Sequence, residues 1–170
     1  MNADLLNIVR CPGCRESLET AAEPPQLRCR GCGKVYPVVR GIPRFTEESY
    51  AASFGRQWNR YDVARDDEDE ATFLVKTGIA PASLAGRLVL DAGCGGGRYA
   101  RLAGRHGATV VGVDLSTAVE KAAELCADLP GVSIVQGDLL ELPLAERQFD
   151  LAFSIGVMHH SPDQIGRAHV

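Results

Sequence analysis

The pattern of apolar and polar positions predicts an α/β region from residue 86 onward. Short apolar runs rich in β-branched residues alternate there with stretches of helical periodicity. The runs predict strands at 88–91, 109–113, 132–135 and 149–155, and the periodic stretches predict helices at 99–105 and 118–127. Ser116 is placed to act as the N-cap of the second helix. This alternation predicts the α/β class, with a doubly wound, mostly parallel sheet and helices on both of its faces.

The pattern before residue 86 is less regular. Residues 34–43 alternate like a short strand, with prolines at positions that an edge strand tolerates. Phe54, Trp58 and Tyr61 share one face of a predicted helix, and 71–77 predicts a second helix that ends at Gly78. We therefore divide the chain into a small domain at 1–45, a linker with a helical segment at 46–85, an α/β domain at 86–164 and a tail at 165–170.

Composition and charge narrow the classes of protein. The chain of 170 residues is 45% hydrophobic, enough for one substantial core and a small second unit. Its net charge is −4 and no basic patch indicates a nucleic-acid partner. The N-terminus has no basic, apolar leader, and no apolar run has the length that a membrane span needs. We expect a cytoplasmic protein without a membrane span.

Four cysteines form two C-x2-C pairs, Cys11 with Cys14 and Cys29 with Cys32. Each pair can place two thiolates on one ion, and two pairs complete the tetrahedral S4 site that suits structural zinc. Such a closed site substitutes binding energy for the core that a short segment lacks. The alternatives are two disulfides or a redox pair at Cys11 and Cys14, but the absence of a leader favours zinc.

The sequence "CPGC…CRGCGKVYPVVRGIP" resembles the small zinc-ribbon proteins that activate methyltransferases of tRNA, rRNA and release factors. It also resembles the same module where it is fused ahead of bacterial methyltransferases. The resemblance implies a scaffold that can dock a protein partner, and it implies no catalysis by this module.

The sequence "LDAGCGGG" places an acid and four glycines directly after the first predicted strand. A phosphate-binding P-loop would need a lysine after the last glycine, and none follows Gly97. A dinucleotide fingerprint would need glycine where Arg98 stands, which weakens that alternative. The pattern that fits is acid-x-Gly-x-Gly-x-Gly, formed by Asp91, Gly93, Gly95 and Gly97.

Together with "VVGVDLS" and "GDLLELPLAERQFDLAFSIGVMHHSPD", this pattern resembles the class I methyltransferases, which have a Rossmann-like sheet and use S-adenosylmethionine. The cofactor has no phosphate, so glycines without a basic anchor suit it. We expect Asp91 to meet its amino group and Asp114, beside Leu115, to accept its ribose hydroxyls. The resemblance assigns the adenine amine to Asp138, with the Leu139 backbone beside it.

Two further expectations concern the end of the chain. His159 and His160 follow the fourth strand, and one of them could act as the base for a methyl acceptor; a structural role is the alternative. Residues 165–170 can be encoded by the start of a common sequencing adapter, so we leave this tail out of the functional interpretation. Because the chain stops just past the fourth predicted strand, we interpret the sheet as incomplete at its C-terminus. We expect a methyltransferase whose methyl acceptor is a small molecule; a macromolecular acceptor is the alternative. The alternatives are a non-catalytic zinc-ribbon adaptor and a nicotinamide-dependent oxidoreductase.

Overall fold

The computed structural model describes residues 3–21, 23–46 and 66–157. The N-terminal part, here called the ribbon, is built on an antiparallel sheet in the order β1-β2-β3-β4. Its elements are α1 (Ala3–Ile8), β1 (Leu18–Ala21), β2 (Gln26–Cys29), β3 (Val35–Val39) and β4 (Ile42–Pro43). Pro43 lies in the edge strand β4, as the pattern predicts, but Pro37 lies in β3, which is between β2 and β4, so the edge prediction is wrong for Pro37.

The C-terminal part contains a parallel sheet in the order β7-β6-β5-β8. Its strands are β5 (Leu88–Ala92), β6 (Thr109–Asp114), β7 (Val132–Gln136) and β8 (Leu151–Phe153). Its helices are α2 (Asp66–Thr77), α3 (Arg98–Arg105) and α4 (Val119–Leu125), with a 3-10 turn at Pro81–Leu84. The α/β class and the parallel sheet are as predicted.

Three local predictions need correction or confirmation. The fourth strand is shorter than 149–155, covering Leu151–Phe153. Ser116 does not cap α4: that helix begins after Ala118, which gives it no side-chain cap. The Ser116 hydroxyl donates to Asp114, and its oxygen accepts the Ala118 N–H at 3.3 Å in the turn before the helix. Gly78 does end α2, with a φ of 70° and an N–H bond to the Leu74 carbonyl.

The two faces of the parallel sheet are covered differently. Alternate strand residues point to opposite faces, and both sets are apolar here, so both faces need cover. One set packs against α2, α3 and α4; its buried strand members are Val89, Val110, Ile134 and Phe153. The other set packs against the ribbon; its members are Leu90, Val111, Val113 and Val135. In the described ranges, the long helices therefore line one face and the ribbon, including short α1, lines the other. The prediction of a helical layer on both faces is thus wrong for one face, which the ribbon covers instead.

Backbone hydrogen bonds join the ribbon to the α/β part at two places. Next to α1, Val9 forms an antiparallel bridge with Leu144, and the Arg10 N–H donates to the Pro143 carbonyl at 2.8 Å. After β4, Arg44 forms a parallel bridge with Gln136 of the edge strand β7. The ribbon thus extends the sheet beyond β7 while covering its face.

No helix within the ranges that the structure describes has the length and apolar character needed to cross a membrane.

Candidate functional site

The four paired cysteines meet in one cluster on the ribbon. The sulfurs of Cys11, Cys14, Cys29 and Cys32 all lie within 4.8 Å of one another. Two Sγ–Sγ distances are 3.7 Å, Cys11 to Cys32, and 3.3 Å, Cys14 to Cys29. A tetrahedron with Zn–S bonds of about 2.3 Å requires sulfurs about 3.8 Å apart, whereas a disulfide requires about 2 Å. The donor set and its spacing therefore fit one zinc ion and neither disulfide alternative.

The Tyr36 hydroxyl, on β3, contacts this cluster. It lies 3.0 Å from Cys11 Sγ in the ribbon core. Burial works against ionisation of Cys11, but the Tyr36 hydroxyl and the backbone N–H groups of Cys14 and Gly13 bring its pKa down to about 6. A thiolate stabilised in this way is ready to bind a metal cation.

The second candidate site lies at the carboxyl ends of the parallel strands. The sheet order reverses at β5, which pairs with β6 on one side and β8 on the other. In open α/β sheets, ligands bind in the crevice outside such a reversal. The loop 93–97 starts at this point, where the N–H groups of Gly93 and Cys94 both donate to the Val113 carbonyl of β6.

Two positions of this loop are glycine for different physical reasons. Gly97 has a φ of 88°, and a Cβ there would lie 2.8 Å from the Ala122 backbone, so the close packing of α3 on α4 requires it. Gly95 has a φ of 50°, and a Cβ there would meet no atom of the described residues within 4 Å. Gly95 therefore presents bare backbone to open space, as a ligand-binding position would.

Asp91 ends deep in the sheet, below this loop. It is only 2% exposed, and its Oδ2 has no hydrogen-bond partner in the described part of the chain. Burial and the nearby Asp114 carboxylate raise the pKa of Asp91 to about 8, against an opposing hydrogen bond from the Ala100 backbone. An incompletely bonded buried carboxyl is costly unless a ligand completes its interactions.

Asp114, at the end of β6, ties two loops together. Its Oδ2 accepts the Gly95 N–H at 2.9 Å, while its Oδ1 accepts the Ser116 N–H at 2.8 Å and the Ser116 hydroxyl at 2.7 Å. A carboxylate has about four acceptor sites, so three protein bonds leave room for a ligand hydroxyl. The structure brings Asp114 and the glycine loop into direct contact.

The remaining predicted positions are distributed as follows. Asp138 lies two residues beyond β7, where its Oδ1 accepts the Leu140 N–H at 2.8 Å, and Leu139 beside it is half-buried. His159 and His160 lie outside the described residues, as does the aromatic stripe at 54–61 and the tail at 165–170.

The two remaining cysteines are poor nucleophiles. Burial raises the pKa of Cys94 well above its ordinary value, and burial likewise raises that of Cys126 to about 12. Both thiols stay protonated near neutral pH, which makes them small apolar residues of the core.

Sequence reasoning missed two buried polar residues, Arg44 and Gln136, which are 8% and 2% exposed. Their side chains bind each other between the ribbon and the parallel sheet. No motif marks them, because a separation of 92 positions carries no spacing rule and both residue types are usually found at the surface.

Two segments of the chain match known families. Residues 90–168 match the Methyltransferase domain family, and residues 2–41 match the Trm112p-like protein family. Both resemblances drawn from the motifs are confirmed by these matches.

Curated relatives and solved structures also match. The ubiquinone biosynthesis O-methyltransferase of Pseudomonas syringae pv. tomato is 34% identical over 128 residues, covering 74% of this chain and 55% of that protein. The enzyme of the same name from Paracidovorax citrulli is 42% identical over 90 residues, covering 51% and 37%. The CcbJ methyltransferase from Streptomyces caelestis matches with a TM-score of 0.46 and 27% identity, covering 64% and 45%. The chain spans about half the length of the curated relatives that it matches.

Proposed function

We propose that this chain, which joins a Trm112p-like module to methyltransferase-domain sequence, is the cofactor-binding part of an S-adenosylmethionine-dependent methyltransferase. The observation that carries the proposal is Asp91, a buried carboxyl with an unpartnered oxygen below an open glycine loop. A ligand with a cationic amino group and no phosphate suits that arrangement, because the carboxylate gains a partner and the loop offers no basic anchor.

The chain's own residues would divide the binding of the cofactor. Asp91 would hold the amino group, directly or through water, and Gly95 would let the tail lie against the backbone. Asp114 would accept a ribose hydroxyl at the acceptor site that its three protein bonds leave free. Asp138 and the Leu139 backbone would receive the adenine.

When bound, the cofactor supplies a methyl group that its own sulfonium already activates. The protein then needs to align the acceptor and exclude water more than it needs a nucleophile. This requirement agrees with the protonated, buried state of Cys94 and Cys126. His159 or His160 would take the proton from the acceptor, and zinc in the ribbon would be structural.

The acceptor proposed first is a small molecule with a hydroxyl group. The relatives are named ubiquinone biosynthesis O-methyltransferases, so a quinone precursor is the first compound to test. A macromolecular acceptor is the second candidate, since a Trm112p-like module accompanies methyltransferases of that kind. We place the protein in the cytoplasm, where reduced thiols can bind zinc. The adaptor and oxidoreductase alternatives gain no support from the matched families.

Calorimetric titration tests the proposal on the longest reading frame that contains this chain. We expect S-adenosylhomocysteine to bind and NADH not to bind, and Asp114→Ala to weaken binding about tenfold or more. Asp150→Asn is the control, because the exposed Asp150 binds the Leu88 N–H at the opposite end of β5. Binding of NADH in place of S-adenosylhomocysteine, or of neither compound, would refute the proposal.

A further inference from the structure

A buried polar contact joins the ribbon to the edge of the parallel sheet. Arg44 Nη1 donates to Gln136 Oε1 at 2.8 Å, and Arg44 Nη2 donates to Glu120 Oε1 of α4 at 2.8 Å. The backbone adds a bond from the Phe45 N–H to the Gln136 carbonyl at 2.8 Å. Arg44 is thus the residue through which the C-terminal end of the ribbon engages both β7 and α4.

The nitrogen of the Gln136 amide reaches the turn that follows Asp114. Gln136 Nε2 donates to the Leu115 carbonyl at 3.0 Å. Arginine has only donors and a carbonyl has only acceptors, so this amide can satisfy both neighbours in one orientation alone. Leu115 stands between Asp114 and Ser116, which bind each other. The Leu115 carbonyl is therefore held from the ribbon side, next to the carboxylate that binds Gly95.

We propose that Gln136 is a positioning residue: oriented by Arg44 of the docked ribbon, it fixes the loop that carries Asp114. The inference rests on the proposed function, because Asp114 is the residue assigned to the ribose. This inference assigns the ribbon a task within its own chain, which is to hold Asp114 and the turn after it in the conformation that binds the cofactor. Loss of the Gln136 donor frees the Leu115 carbonyl, and the loop can then move away from Gly95.

Gln136→Glu separates this task from the docking of the ribbon. The new carboxylate keeps an acceptor for Arg44 but has no donor for the Leu115 carbonyl. The matched control is Arg40→Met, since Arg40 also donates to Glu120, at 2.6 Å, but is exposed and does not bind Gln136 in the described structure. Should Gln136→Glu fold poorly, Gln136→Met keeps the side-chain length and loses the same donor.

Two measurements on the full reading frame decide the inference. Gln136→Glu is expected to weaken S-adenosylhomocysteine binding about five- to twentyfold while zinc content stays that of the wild type. Amide exchange at Ser116 and Gly95, measured without ligand, should speed up several-fold while exchange at Cys29 in the ribbon does not change. Arg40→Met should alter neither quantity.

The outcomes separate the inference from the proposed function. Unchanged exchange at Ser116 together with unchanged affinity in Gln136→Glu would overturn the inference and leave the proposed function standing. A wild-type protein that binds no S-adenosylhomocysteine would refute the proposed function. Amide exchange in the ligand-free protein would still test whether Gln136 holds the turn after Asp114. If exchange at Ser116 and Gly95 were no faster in Gln136→Glu than in the wild type, the inference would be overturned as well.

Discussion

At the scale of single residues, the buried carboxyl of Asp91, which we propose binds the cofactor, makes the stability of the fold depend on pH. Its pKa is raised from 3.8 to about 8 in the folded protein, so the folded state holds this proton more tightly than the unfolded state. Between these pH values the unfolded chain releases the proton while the folded chain keeps it. The contribution of Asp91 is therefore most favourable below pH 4, falls as the pH rises and is fully lost above about pH 8.

Asp91→Asn is expected to remove this pH dependence. An amide keeps the shape of the protonated carboxyl and cannot ionise, so the variant should gain stability over the wild type as the pH rises from 5 to 9. Since each pKa unit corresponds to about 1.4 kcal/mol, the gain at pH 9 should be about 5 kcal/mol, or about 10 to 20 °C in melting temperature. The same variant should bind S-adenosylhomocysteine more weakly, because it lacks the charge for the amino group.

Melting curves at pH 5, 7 and 9 check this expectation, with Asp150→Asn as the control for an exposed carboxylate. The prediction would be wrong if the wild type and Asp91→Asn had parallel pH profiles.

The sequence specifies this kind of residue well when the chemistry is local. The cysteine pairs and the glycine loop each lie within a few positions, so the turn geometry that they need can be read from spacing alone. Arg44 and Gln136 depend on a contact between two sheets, and neighbouring residues carry no trace of it. Asp91 is a case between these two. The sequence shows that it follows an apolar run, but it does not show that one carboxyl oxygen lacks a hydrogen-bond partner among the described residues.

At the scale of elements, the loop between β5 and α3 combines a glycine that packing requires, Gly97, with one that we propose contacts the cofactor, Gly95. Gly97→Ala forces a Cβ against the Ala122 backbone and should cost about 3 kcal/mol or more, separating α3 from α4. Gly95→Ala meets open space and carries only the left-handed backbone cost, about 1 kcal/mol. It should nevertheless weaken S-adenosylhomocysteine binding about tenfold or more, because the methyl group occupies the ligand's place.

Thermal melting and titration of the two variants make the comparison, and each serves as the other's control. Equal losses of stability in both variants, or full affinity in Gly95→Ala, would contradict the division of roles.

Element boundaries also show what alternation can predict. The three strands β5, β6 and β7 agree with their apolar runs to within one residue, because each is buried on both faces. The fourth was overestimated by two residues at each end, because its regular pairing with β5 covers only Leu151–Phe153. The capping role of Ser116 failed because its oxygen accepts the Ala118 N–H, which lies in the turn before the helix, and the regular helix begins only at Val119.

At the scale of the whole molecule, the ribbon serves as the second layer of the α/β part. The alternation of strands and helices predicted helices on both faces of the sheet, and for the described residues this is wrong on one face. In the described residues the ribbon covers the face formed by Leu90, Val111, Val113 and Val135. Its cysteine cluster therefore stabilises more than its own short strands.

Loss of the metal should consequently expose this sheet face. Cys32 is an exposed ligand, so Cys32→Ser removes a thiolate with little loss of packing. We expect the variant to lose its one zinc per chain, to melt about 10 °C or more below the wild type and to bind a dye specific for exposed apolar surface. Cys126→Ala, which alters a buried thiol in the helical layer, should keep its zinc and bind no dye. Metal analysis, melting and dye fluorescence give the three readings, and a zinc-free Cys32→Ser protein that melts like the wild type without binding dye would show that the ribbon covers the sheet without its metal.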